Sequence, residues 1–155
     1  MDLQEFILKN LEIDKEKCGR IFSFVDFGNV NYWYEKDRSN FDGALLPKNQ
    51  RLIVGIEKLS SFISSFSEQK RFYYGLDQRD KATWHITNLA ERHNFKVSKK
   101  PIQWIKHYLD VKDSTKLKLN HKIKKDREGV FIEIPKCNFD VEITIDAIRL
   151  IDYLL

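Results

Sequence analysis

The stretch FVDFGNVN, residues 24 to 31, sets a carboxylate, Asp26, directly behind an apolar run, with Gly28 and Asn29 close after it. A carboxylate at the end of a buried strand is held rigidly, and without a fixed basic partner it suits a hard divalent cation that takes oxygen ligands. Gly28 lets the chain turn sharply there, and Asn29 offers an amide to the acid, to a metal-bound water or to a substrate phosphate. The competing reading is plain helix capping by Asp26 or Asn29. A second pair of acids, Asp140 and Asp146, lies in the otherwise apolar FDVEITIDAIRLI, where a carboxylate without a cation is costly to bury. On a helix that begins near Asp140, six residues carry Asp146 about 120° round, so the two do not share a stripe. Asp140 at a helix start can still lean toward a common centre. Its alternative role is capping, and that of Asp146 is a surface or salt-bridge role. His85, His93, His107 and His121 are scattered, which does not indicate a histidine acid–base pair. Cys18 and Cys137 have no close Cys or His neighbours, so neither a zinc site nor a disulfide framework is indicated and a reducing cytoplasm is expected.

Charge is distributed unevenly. The formal net charge is +4, yet Arg92 to Arg127 alone holds 12 Lys and Arg against three acids, leaving 15 against 20 in the remainder. A segment at +9 joined to a body at −5 is the pattern expected when one surface meets a polyanion and another holds cations. Lys99, Lys100, Lys118, Lys122, Lys124 and Lys125 are the candidate phosphate contacts, with Trp104, His107 and Tyr108 placed among them to stack unpaired bases. The alternatives are a solvated lysine-rich loop and, for Trp104, core packing.

These residues need a scaffold. A chain of 155 residues with 42% apolar and 32% charged side chains fits one globular domain. No apolar run is long enough for a membrane span, and the N-terminus lacks the pattern of an export signal. Leu3, Phe6, Ile7 and Leu11 predict an amphipathic helix, so residues 1–18 read as a helical addition. IFSFVD is a first strand, NVNYWYEKD starts as a helix with Asn29 near its cap, and Pro47 opens a helix carrying a stripe of Leu52, Ile56, Leu59, Ile63 and Phe66. KRFYYGL, ATWHITNLAERHN and NFKVSKKPI follow as strand, helix and strand. The alternation predicts a mostly parallel sheet with helices on both faces. Residues 104–135 break the rhythm and read as a basic β-hairpin or extended loop, and FDVEITIDAIRLIDYLL satisfies both strand and helix periodicity.

In order along the chain, VDFGNVNYW resembles the strand-end Asp-x-x-Asn of the NYN domain family, the PIN-like group that includes LabA-like proteins. RFYYGL is similar to that family's second strand, FKVSKKP to its third, and KCNFDVEITIDAIRL to its Lys-Gly-Val-Asp-Val-x-Leu-x-x-Asp segment. The resemblance spans roughly Gly19 to Leu155. It implies a PIN-like three-layer α/β/α fold in which Asp140 opens a helix. It further implies a metal-dependent endoribonuclease site in which Asp26 and Asp140 bind Mg²⁺ or Mn²⁺, Asn29 supports them and Asp146 assists as a further metal-site acid. Lys136 becomes the phosphate contact, one position off the family's lysine, where Cys137 stands. Family members usually continue into a strand ending Ser-Gly-Asp-x-Asp-Phe, which has no counterpart before Leu155. Two expectations follow from that difference. The first is a non-catalytic RNA- or protein-binding module as the alternative function. The second is a homodimer, or another protein, completing the sheet beside the first strand.

Overall fold

Hydrophobic periodicity switches between two and 3.6 along the chain, and the backbone switches with it. In the computed structural model, which describes residues 3–34, 36–37, 39–40, 42–47, 50–109 and 122–152, α1 (Leu3–Asn10) and α2 (Lys15–Cys18) precede β1 (Phe22–Asp26). Then come α3 (Phe27–Val30), α4 (Ile56–Ser64), β2 (Gln69–Leu76), α5 (Lys81–Arg92) and β3 (Lys96–Pro101). The last elements are β4 (Gln103–Tyr108), β5 (Lys124–Lys125), β6 (Val130–Lys136) and α6 (Asp140–Asp152). The protein is a mixed α/β structure with two three-stranded sheets. The first is wholly parallel, in the order β1-β2-β3, and pairs Asp26 with Tyr73 and Tyr73 with Ser98. The second is antiparallel, in the order β4-β6-β5.

Successive side chains of a strand point to opposite faces, and β2 divides its burden accordingly. Phe72 and Tyr74 join a core with Val25, Phe27, Ile63 and Phe95, beneath α4 and α5. Phe72 stacks on Phe27 with ring centroids 4.8 Å apart. Arg71 and Tyr73 face the other way, where they meet Asp146 of α6 and, just before that helix, Phe139. Helices therefore touch both faces of the parallel sheet. The order β1-β2-β3 leaves β1 paired on one side only among the described residues.

Three local expectations are corrected. The helix expected from Pro47 begins at Ile56, because Gly55 is extended (φ −71°, ψ 119°) and Ile53-Val54-Gly55 is a poor helix former; it ends at Ser64, so Leu52 and Phe66 both lie outside it. The helix after β1 is a single turn capped by Asp26, with Asn29 inside it rather than at its cap. Of the N-terminal stripe Ile7 is buried, whereas Phe6 and Leu11 stay exposed, so that helix packs along a narrow line. The helical reading of the last segment holds over Asp140–Asp152. The basic segment does form antiparallel strands; residues 110–121 between them, with Lys118, lie outside the described residues. No described helix is long and apolar enough to cross a membrane.

Candidate functional site

Asp26 ends β1 at the carboxyl edge of the parallel sheet, the edge where open α/β sheets bind ligands. Its Oδ1 accepts the Gly28 N–H at 3.1 Å and its Oδ2 accepts from Asn29 Nδ2 at 2.9 Å. Capping and orientation are thus one arrangement: the turn that starts α3 also holds the carboxylate still. Each carboxylate oxygen retains a further lone pair for a ligand, and no salt bridge to Asp26 forms among the described residues. A side chain at position 28 would place its Cβ 3.1 Å from Asp26 Oδ1, so the glycine keeps the carboxylate accessible.

Asp26 and Asn29 open onto a cavity of about 290 Å³ whose other walls include Tyr32, Tyr74, Lys136 and Cys137. Burial pushes the Tyr74 hydroxyl above its ordinary pKa, and the neighbouring Tyr32 adds to the effect. Burial likewise raises the Cys137 thiol, with the Asp26 carboxylate adding to the rise against Lys100. The rise disfavours the thiolate, which is the nucleophilic form of cysteine. The floor of the cavity depends on Gly75, because a Cβ there would meet Ile102 Cγ1 at 2.7 Å and Cys137 Cβ at 2.9 Å. We expect Gly75→Ala to destabilise the protein by about 1–3 kcal/mol through overpacking, read as a lowered urea midpoint. An unchanged midpoint would show that the β3–β4 and β6–α6 junctions yield freely.

The other sequence-predicted acids are placed differently. Asp140 is the exposed first residue of α6, one residue beyond Phe139, which lines the cavity. The helix start is held by Asn138, whose Oδ1 accepts the Asp140 N–H at 2.9 Å, leaving the Asp140 carboxylate outside that bond. Asp146 is committed elsewhere: its Oδ2 lies 2.7 Å from Arg71 Nη1 and accepts the Tyr73 hydroxyl at 2.7 Å. Burial alone would raise its carboxyl, but Tyr73 and Arg71 outweigh burial and hold it below the usual carboxylate range. The salt-bridge alternative for Asp146 is the one the geometry displays, and the sequence offered no sign of its partner. Among the described residues no group of three or more His, Cys, Asp or Glu side chains is gathered to hold a metal.

The candidate phosphate contacts divide by pairing. Lys99 is held by Glu91, Lys100 by Glu142 and Lys124 by Glu133, whereas Lys122, Lys125 and Lys136 form no ion pair among the described residues. Lys136 ends β6 and lines both the main cavity and a second one of about 290 Å³ beside Lys100, Gln103 and Asn138. Trp104 is taken on one face by Arg79, whose guanidinium carbon sits 3.5 Å from the ring centroid. Arg79 also reaches Glu133 at 3.4 Å, tying the second sheet to the end of β2. Tyr108 and Lys106 share Asp126, whose carboxyl Lys106 above all holds down at about 2. Trp104 is thus engaged by Arg79 and Tyr108 by Asp126 and Phe131, while Tyr32 and Tyr74, which sequence reasoning missed, line the cavity with Asp26.

No protein-family model, no curated protein and no solved structure matches this chain.

Proposed function

We propose that this chain is a metal-dependent endoribonuclease of the NYN type, built on a PIN-like three-layer α/β/α fold and using Mg²⁺ or Mn²⁺. The observation that carries the reading is the Asp26 carboxylate: fixed by Asn29 and Gly28, unpaired with any described cation, and opening onto a cavity that has Lys136 on its wall. The layer arrangement adds support, since α4 and α5 cover one face of the parallel sheet and α6 touches the other.

The donor set suits a hard ion of modest demand. Mg²⁺ is commonly held by one or two carboxylates and completes its shell with waters and substrate phosphate. Asp26 would supply one such carboxylate, and Asp140, exposed at the start of α6 next to the cavity-lining Phe139, would supply a second only by turning its side chain toward the cavity. When bound, such an ion activates a water and offsets charge on the phosphate under attack. The chain's own residues do the positioning. Asn29 Nδ2 fixes the angle of Asp26, Lys136 draws a phosphate to the mouth of the cavity, and Lys125 on β5, with Lys122 two residues before that strand, supplies further phosphate contacts. Asp146 acts through the ion pair with Arg71, holding α6 and therefore Asp140 against the sheet.

The test is cleavage of labelled RNA with Mn²⁺ or Mg²⁺, with and without chelator. Cleavage that survives chelation removes the metal-dependent reading, and RNA binding without cleavage identifies a binding module instead. The unpaired side of β1 further supports pairing with a second copy or with another protein's strand. Val141, Ile145, Ile148 and Ile151 on α6 are exposed as well and offer further apolar surface. A homodimer is expected by light scattering, and a monomer at every concentration tried would count against self-pairing.

A further inference from the structure

Directly after the turn that carries Asp26 and Asn29, two large aromatic residues stay in solvent: Tyr32 is 55% exposed and Trp33 65%. Single exposed aromatics are ordinary on protein surfaces, but Tyr32 differs in three respects. It lines the same cavity as Asp26 and Asn29. Its ring is braced by Arg51, whose guanidinium carbon lies 4.9 Å from the ring centroid. Arg51 is itself anchored, because its Nη1 donates to the Asn31 carbonyl at 3.0 Å. A ring held in this way loses little further freedom when a flat partner lies against it. Tyr74 lines the same cavity, close enough for the Tyr32 hydroxyl to act on its own, so the wall is aromatic in depth. The cavity therefore joins a polar end, an acid with its supporting amide, to an aromatic side with a lysine nearby.

We propose that Tyr32, braced by Arg51, is the platform on which an unpaired nucleobase stacks, so that the site takes single-stranded RNA in preference to duplex. The proposal rests on the ribonuclease reading for the identity of the ligand. In a duplex each base face is covered by its neighbours, and A-form RNA offers proteins its backbone and shallow groove rather than base faces. In a single strand a base can splay out onto an aromatic ring while its phosphate lies toward Lys136 and Asp26. Stacking of this kind tolerates any base, because all bases have a π face. The site thus discriminates by strandedness and only weakly by sequence.

The experiment measures anisotropy of three labelled RNAs in EDTA, where metal-dependent cleavage is stopped: a single strand, its duplex, and the same single strand with abasic positions. The wild-type chain is expected to prefer the intact single strand. Tyr32→Ala should weaken that complex about 5- to 100-fold, the effect of losing one base–aromatic stack, and Tyr32→Phe should restore it. Affinity for the abasic strand should be the same in wild type and Tyr32→Ala, because there is no base to lose. An exposed ring can be removed without loss of the fold, which a melting curve on the variant checks. The proposal is overturned if Tyr32→Ala binds the intact strand as wild type does, if it weakens abasic and intact strands alike, or if wild type does not favour single strands. A parallel Mn²⁺ cleavage assay separates the two ideas. Stacking at Tyr32 without cleavage sinks only the nuclease reading, and cleavage with an indifferent Tyr32 sinks only the platform.

Discussion

Asp26→Asn is expected to reduce metal-dependent RNA cleavage by more than about 100-fold while leaving the fold intact. Removing residues that merely support a metal ligand typically costs 10- to 100-fold, so loss of the ligand's charge should exceed that range. The structural effect is predicted to be small for a specific reason. The Asp26 side chain caps α3 through the Gly28 N–H, and asparagine is as good a cap as aspartate. The new amide would meet the Asn29 amide, which now donates to Asp26 Oδ2, but a rotation of Asn29 presents its own oxygen and restores a bond. Cleavage of labelled RNA in Mn²⁺ and a thermal melt on the same preparation decide the matter. Undiminished cleavage would remove Asp26 from the chemistry. Cleavage lost together with the melting transition would show that Asp26 serves the fold alone.

Arg71→Met should be the most destabilising substitution on the face of the sheet that meets α6. The Arg71 and Asp146 side chains are only 10% and 16% exposed, and breaking a buried pair by removing one partner typically costs about 3–5 kcal/mol because the other charge is left uncompensated. For a chain of this size that corresponds to a fall in Tm on the order of 10 °C. The pair is not stabilising in the same measure, since two charges give up hydration to form it and Arg71 Nε is buried without a partner. Arg71→Met combined with Asp146→Leu should therefore recover most of the loss. The sign of the pH dependence follows from the depressed Asp146 carboxyl. A carboxylate stabilised in the folded state contributes fully above its unfolded pKa, and the contribution is lost as pH falls through the lower folded value. Wild type should lose stability on acidification below the ordinary carboxylate range, and the double variant should lose less over the same window. Urea denaturation across that range measures both effects. A single variant within about 1 kcal/mol of wild type would mean that water reaches the pair freely.

The order of strands and helices and the position of Asp26 were legible because they depend on local chemistry. The β-type run RFYYGL, the helical stripe through Ile56, Leu59 and Ile63, and the glycine two residues past Asp26 act over one or two turns of chain. Where local signals conflicted, reading stopped short. Pro47 is compatible with a helix start, but the extended Gly55 and the β-branched pair before it move the start to Ile56. The last segment satisfied two periodicities at once and was resolved by its packing: on α6, Asp146 reaches Arg71 and Tyr73, while Phe139, just before the helix, packs its ring against Tyr73.

By itself, the sequence determined that β1 ends on a carboxylate, that strands and helices alternate, and that the basic residues collect in one segment, for each is a matter of composition or short-range period. Only the tertiary structure decided which charges are free. Asp146 and Lys124 look in the sequence like Asp26 and Lys136, yet the first two are neutralised by Arg71 and Glu133 and the second two open onto the cavity. Pairing of that kind depends on distances between residues on different elements. Those distances are set by the register of β2 and by the seating of α6 and β6 against it, and no local pattern encodes them. The aromatic wall arises the same way: Tyr32 and Tyr74 belong to separate elements and become neighbours only when the turn after β1 folds over the end of β2.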